Sequence, residues 1–129
     1  LDFWKIRMRP GKPLMAGTLG SAVFLGLPGN PVSAFVTATL FLLPLVRHLM
    51  GSAAPLPRTA PATLAAPLPA TGERDDYLRA YRSEAGIVSL TSQDSAATAA
   101  MAMADCLIIR PAGSPPAVAG DALTILPLA

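Results

Sequence analysis

The first residues of the chain alternate charged and apolar side chains, a period-two pattern typical of a half-buried β-strand. Lys5, Arg7 and Arg9 fall on one face of such a strand. Ile6 and Met8 fall on the opposite face. The pattern therefore predicts one strand with a cationic face.

Glycine and proline residues divide the following apolar stretches into separate elements. We predict a turn at residues 10–13, a short strand at 14–16 and a second strand at 21–27. The long apolar stretch that follows predicts one helix over residues 31–50, which Gly51 ends.

The second half of the chain has shorter strand-like segments. The predicted strands cover residues 77–81, 86–90, 106–110 and 123–128. A hairpin turn at 83–86 joins the first two, and we expect a short helix at 95–104. The predicted fold class is an α/β fragment of strands plus one long helix, followed by a small, mostly β, barrel-like C-terminal domain.

A stretch rich in alanine and proline separates the two halves. We expect a first unit at residues 1–52, a linker at 53–62 and a second unit at 63–129. The chain opens without a methionine or a signal-peptide pattern, so we expect a fragment of a longer polypeptide.

The start of the long helix predicts an anion-binding turn. Gly29 permits a tight turn, Asn30 suits the helix N-cap and Pro31 suits the first helical position. Free N–H groups and the helix dipole favour an anion there. Ser33 is close enough to the cap to contribute its hydroxyl, although an ordinary first-turn serine is the simpler interpretation.

Composition narrows the classes of function. A net charge of +2 over 129 residues gives no basis for a nucleic-acid partner. The single cysteine, Cys106, excludes an internal disulfide and permits a reducing cytoplasm, and its apolar context predicts a buried, inert thiol. His48, the only histidine, lies at a helix end, which argues against a Ser-His-Asp or Cys-His system. The uncharged stretch 32–46 is shorter than the about 20 residues of a membrane span, so no membrane partner is expected.

Cationic residues precede the predicted anion-binding turn in the sequence and are candidates for the same binding site. Lys5, Arg9 and Lys12 form either a solvated strand face or part of an oxyanion pocket. In the second half, Arg79 on a strand and Ser95 at a helix start are, taken alone, ordinary surface residues.

Four short motifs, taken in their order along the chain, resemble those of a known protein family. The first unit holds KxxxRPGKP at residues 5–13 and GLPGNPVSA at residues 26–34. The second holds QDS at residues 93–95 and AGD at residues 119–121. The chain resembles the C-terminal part of the molybdopterin molybdenumtransferases, the MoeA/gephyrin E-domain family.

The resemblance implies that the first unit is the end of a molybdopterin-binding-like three-layer α/β domain. It implies a cytoplasmic enzyme of molybdenum cofactor biosynthesis that inserts molybdate into adenylylated molybdopterin and releases AMP. Mg²⁺ would assist, with its ligands in an N-terminal part and no metal ligands in this chain. The full-length protein would be a homodimer, with a molybdopterin adenylyltransferase as a partner.

The resemblance also assigns site residues. Lys5 and Arg9 match catalytic positions. The positions matched to molybdate and molybdopterin binding are Lys12, Gly29, Asn30, Ser33, Arg79 and Ser95.

Two residues depart from the family pattern. Arg9 stands where lysine is frequent, which keeps the charge but changes its shape. Asp94 stands where glycine is usual and puts a negative charge beside Ser95. The alternative to a transferase is therefore a non-catalytic binding or scaffold module of the same fold, and we expect these 129 residues alone to be inactive.

Overall fold

The computed structural model of the chain describes residues 4–5, 8–9, 15–26, 31–90 and 104–128. The chain divides into two compact units, Leu1–Pro57 and Arg58–Ala129.

The strands of the first unit are β1 (Trp4–Lys5), β2 (Met8–Arg9), β3 (Met15–Leu19) and β4 (Ala22–Gly26). β3 and β4 form an antiparallel hairpin that pairs Leu19 with Ala22 across a tight turn. β1 pairs with the other edge of β3, where Trp4 lies opposite Ala16. The resulting sheet has the order β1-β3-β4.

The structure describes the two ends of the strand expected over residues 5–9. Lys5 lies in β1 and Arg9 in β2, while residues 6–7 between them lie outside the described residues. β3 extends beyond the predicted strand at 14–16 because all five of its residues pair with β4. β4 itself confirms the strand expected at 21–27. The turn expected at 10–13 lies outside the described residues.

The predicted long helix is confirmed, with one irregularity. It comprises α1 (Pro31–Thr37), a π-helical segment (Ala38–Leu42) and α2 (Leu43–Leu49). The N–H of Leu43 donates to the carbonyl of Ala38. Pro44 follows and has no N–H, so the wider turn accommodates a residue that an ordinary helix interior rejects. Within the described residues, no helix is both long enough and apolar enough to span a membrane.

The helix ends as predicted at Gly51. This glycine has φ of 86°, a left-handed conformation that residues with a Cβ rarely adopt. Its N–H donates to the carbonyl of His48 at 3.0 Å and so satisfies one terminal carbonyl of the helix.

The second unit is a curled antiparallel sheet. Its strands are β5 (Ala60–Thr63), β6 (Asp75–Ser83), β7 (Gly86–Ser89), β8 (Cys106–Arg110) and β9 (Ala122–Pro127). They pair in the order β7-β6-β8-β9-β5. A parallel bridge between Leu64 and Ile87 brings the end of β5 to β7, and the N–H of Ala65 donates to Ile87 O at 2.8 Å. The predicted barrel-like shape is therefore confirmed.

One apolar cluster fills the inside of this barrel. Its buried members are Leu64, Leu68, Ala80, Ile87, Cys106, Ile108 and Ile125. Alternate residues of β8 contribute Cys106 and Ile108, as the period of a strand requires. Burying each large apolar side chain contributes about 1.5–3 kcal/mol, so this cluster supplies the main stabilisation of the unit.

Most strand predictions for the second unit are confirmed, and the structure has one further strand. β6 and β7 form the expected hairpin, with Ser83 paired to Gly86, and β8 has the expected bounds. The further strand, β5, occupies residues 60–63, of which 60–62 overlap the expected linker 53–62. Short side chains and Pro61 suit β5 because it is an edge strand of the sheet, paired with β9. The helix expected at 95–104 lies, except for its last residue, outside the described residues.

Candidate functional site

Arg79 is a buried cation in the middle of β6. Leu78 and Ala80 pack in the barrel core, so strand alternation directs Arg79 to the opposite face of the sheet. Its exposed fraction is 0%. Among the predicted site residues, Arg79 is the one whose side chain the structure describes, and it is not the surface residue that its sequence context alone predicted.

Buried leucines are paired with the Arg79 position across the sheet. Arg79 is paired with Leu107 on β8, and Leu107 is paired with Leu126 on β9. Leu107 is 0% exposed and Leu126 is 4% exposed. This burial lowers the pKa of the Arg79 guanidinium from its ordinary value. The group nevertheless stays protonated at neutral pH, because arginine keeps its charge in proteins.

A buried guanidinium is well suited to hold an oxyanion. Electrostatic attraction is stronger away from bulk water, and the planar fork of arginine donates two parallel hydrogen bonds to a phosphate-like group. The position of Arg79 in a long, doubly paired strand fixes its backbone. The chemistry that this arrangement supports is binding and orienting a negatively charged group.

Two backbone hydrogen bonds flank Arg79 on β6. The N–H of Leu90 donates to Arg79 O at 2.9 Å, and the N–H of Asp105 donates to Ala80 O at 3.0 Å. These bonds fix the backbone of β6 on both sides of the Arg79 side chain.

The other predicted site residues are described less fully. Lys5 lies in β1, Arg9 in β2 and Ser33 in α1, each as backbone. The remaining four, which lie outside the described residues, are Lys12, Gly29, Asn30 and Ser95. α1 does begin at Pro31, as the sequence predicted, and the N-cap role of Asn30 stays a prediction.

Arg110 is a buried cation that was not among the predicted site residues. Its exposed fraction is 8%, and its Nη2 donates to Pro69 O at 2.7 Å and to Pro115 O at 2.8 Å. It therefore ties the segment before β6 to the segment after β8. The sequence did contain a signal for its burial. Arg110 follows Ile108 by two residues in an alternating strand, and that spacing puts both residues on the core face.

Cys106 has the inert environment that its sequence context predicted. It is fully buried. Burial raises the pKa of its thiol to about 12, and the hydrogen bond and negative charge of Asp105 act in the same direction against a smaller opposing effect of Arg82. The thiolate is the nucleophilic form of cysteine, so Cys106 is not a nucleophile at neutral pH.

Two family models match this chain. The MoeA C-terminal region (domain IV) matches residues 61–128. A probable molybdopterin binding domain matches residues 1–48.

Relatives and solved structures agree with these matches. A molybdopterin molybdenumtransferase of Haemophilus influenzae is 53% identical over 51 residues, which cover 40% of this chain and 13% of that protein. A molybdopterin molybdenumtransferase of Staphylococcus aureus is 30% identical over 128 residues, covering 96% of this chain and 30% of that protein. The crystal structure of a molybdopterin biosynthesis moeA protein from Pyrococcus horikoshii superposes with a TM-score of 0.79 at 17% identity, covering 97% of this chain and 32% of that one.

The structural likeness establishes the fold, and the family models establish the relationship. The chain spans about a third or less of the length of these relatives. With the MoeA C-terminal model matched over residues 61–128, this chain belongs to the MoeA family of molybdenum cofactor biosynthesis proteins.

Proposed function

We propose that this chain acts as the C-terminal part of a molybdopterin molybdenumtransferase. The longer protein would insert molybdate into adenylylated molybdopterin and cleave the adenylate, so that AMP leaves. Membership of the MoeA family and the names of the relatives support this reaction class. These 129 residues alone would not turn over substrate.

The observation that carries the proposal is the burial of Arg79. Both molybdate and the pyrophosphate of an adenylylated pterin are oxyanions, which a water-excluded guanidinium binds strongly. Arg79 would hold one of these anions, and Ser95 would add a hydroxyl donor.

The first unit would supply the other anion-binding groups. Lys5 and Arg9 would act on the reacting groups, while Lys12 and the turn at Gly29, Asn30 and Ser33 would bind substrate. The start of α1 at Pro31 supports this assignment, because a helix N-terminus presents free N–H groups to an anion.

Magnesium would be held elsewhere in the longer protein. Among the described residues, there is no cluster of three or more histidine, cysteine, aspartate or glutamate side chains that could hold a metal ion. The assignment of the magnesium ligands to another part of the longer protein rests on the family relationship.

The test is AMP release by the intact protein, given molybdate and adenylylated molybdopterin. Arg79→Ala and Lys12→Ala should each weaken substrate binding about tenfold or more, because each removes a cation from an anion site. Arg58→Ala, at an exposed position, is the matched control. If both variants keep the affinity of the parent, the cations are not part of a substrate site.

A non-catalytic binding or scaffold module is the second candidate, and Asp94 favours it. A carboxylate beside Ser95 opposes an anion there. A correctly folded intact protein that binds the pterin but releases no AMP would favour this alternative, and Asp94→Gly should then restore turnover.

We also propose a homodimer and a molybdopterin adenylyltransferase partner for the intact protein. Both rest on the family relationship. Sedimentation as a monomer at micromolar concentration would contradict the first, and unchanged pterin transfer in the presence of the adenylyltransferase would contradict the second.

A further inference from the structure

A cleft of about 340 Å³ opens on the second unit where β5 approaches the hairpin of β6 and β7. This volume is at the lower end of the range of about 300–1,000 Å³ for small-molecule sites. Apolar groups line it from Ala62, Ile87 and Ile125. Polar groups line it from Thr63, Arg82 and Ser83.

The two kinds of lining group occupy different depths. Ile87 and Ile125 are core residues, 4% and 2% exposed, so they form an apolar floor. Arg82 is exposed and lies two residues after the buried Ala80, on the same face of β6. The cleft therefore combines an apolar floor with a cation at its mouth.

The backbone excludes an added strand from this cleft. Pro61 has no N–H, which weakens β5 as an edge for strand addition. On the other side, a Cβ at Gly86 would lie 2.5 Å from Thr63 O, so the two chain segments already touch there. An extended peptide cannot enter between them, whereas a small molecule fits the open part.

We propose that this cleft binds a small aliphatic monocarboxylate. Its hydrocarbon chain would pack on Ile87 and Ile125, and its carboxylate would pair with the Arg82 guanidinium and accept a hydrogen bond from the Thr63 hydroxyl. The Ser83 hydroxyl already donates to Gly86 O at 2.8 Å. This site is independent of the molybdenum chemistry proposed above.

Acidic residues near Arg82 narrow the class of ligand that the cleft can bind. Asp105 Oδ2 accepts the backbone N–H of Arg82 at 3.1 Å, and Glu84 lies in the adjacent turn. A ligand with a second carboxylate would meet these negative charges. The cleft therefore favours a monocarboxylate over a dicarboxylate and over a cation of the same length.

Titration of the 129-residue chain with hexanoate, followed by NMR of the isoleucine methyl groups, tests the proposal. Hexanoate should shift the Ile87 and Ile125 signals saturably, while adipate and hexylammonium should do so at least about tenfold more weakly. Arg82→Gln should weaken hexanoate binding about tenfold, and Arg58→Gln should leave it unchanged.

A second variant blocks the cleft without changing its charge. Thr63 is exposed, so Thr63→Phe should fold normally, fill the cleft and abolish the shifts. Non-saturable shifts, equal shifts with hexylammonium, or full affinity in either variant would overturn the proposal. Shifts that follow protein concentration without ligand would assign the cleft to a second copy and also overturn it.

Discussion

Arg79 on β6 lies directly opposite Leu107 on β8, and both side chains are fully buried. Removing a guanidinium from water costs free energy that leucine packing alone does not return, and Arg79 has further interactions in the protein. The proposed anion site adds an expectation that a structural role alone would not: an apolar residue here should lower substrate affinity as well as stability.

Arg79→Met tests this expectation. The thermal midpoint of the 129-residue chain should fall by several degrees, because methionine cannot replace the interactions of the guanidinium. In the intact protein, the same variant should bind adenylylated molybdopterin at least about tenfold more weakly. Calorimetric unfolding and titration measure the two effects. A large loss of stability with unchanged affinity would identify Arg79 as a structural residue.

The barrel strands were predictable because their residues alternate. Leu78 and Ala80 on β6, and Cys106 and Ile108 on β8, recur at the period of a strand with one face in a core. β5 was missed because its small side chains and Pro61 resemble a linker. Its strand conformation comes from pairing with β9, a contact between distant parts of the sequence.

The candidate site was less predictable than the fold. Sequence context alone made Arg79 an ordinary surface residue, and the family resemblance made it a site residue. Its burial depends on the register that places it beside Leu107, and register is set by pairing between strands far apart in the chain. The structural role of Arg110 was not predictable for the same reason. Its hydrogen-bond acceptors, Pro69 O and Pro115 O, lie in loops 41 and 5 residues away in the sequence.

Gly86→Ala should destabilise the second unit by about 3 kcal/mol or more. Gly86 has φ of 131°, and an added Cβ would lie 2.5 Å from Thr63 O, so the substitution combines backbone strain with a clash. Gly113→Ala is the matched control, since Gly113 has φ of 74° but nothing within 4 Å of an added Cβ. Its cost should be about 1–2 kcal/mol. Urea unfolding measures both, and equal losses would show that the contact with Thr63 is unimportant.

The stability of the chain should fall in alkaline solution. Burial raises the pKa of the Cys106 thiol to about 12, from an ordinary value of 9.0. Burial, together with the charge of Asp75, also raises the pKa of the Tyr77 phenol. The folded state then holds protons that the unfolded state has lost.

The free energy of unfolding is therefore greatest below about pH 9 and decreases as the pH rises towards about 12, by up to about 1.4 kcal/mol per pH unit for one group. Urea titrations across this range measure the slope. Cys106→Ala should reduce it, and adding Tyr77→Phe should reduce it further. A slope that neither substitution changes would contradict the role of these two groups.

Arg110→Met should cost about 3 kcal/mol, because Pro69 O and Pro115 O would each lose a charged donor that now lies within 2.8 Å. The variant should also lose protection against amide hydrogen exchange in the two loops that Arg110 joins. Thr71 and Ser114, which are hydrogen-bonded across the same two loops at 3.0 Å, should exchange their amide protons faster in the variant. Arg58→Met, at an exposed position, should change stability by less than about 0.5 kcal/mol. Hydrogen exchange followed by NMR measures the effect, and unchanged protection at Thr71 would show that Arg110 does not hold these loops together.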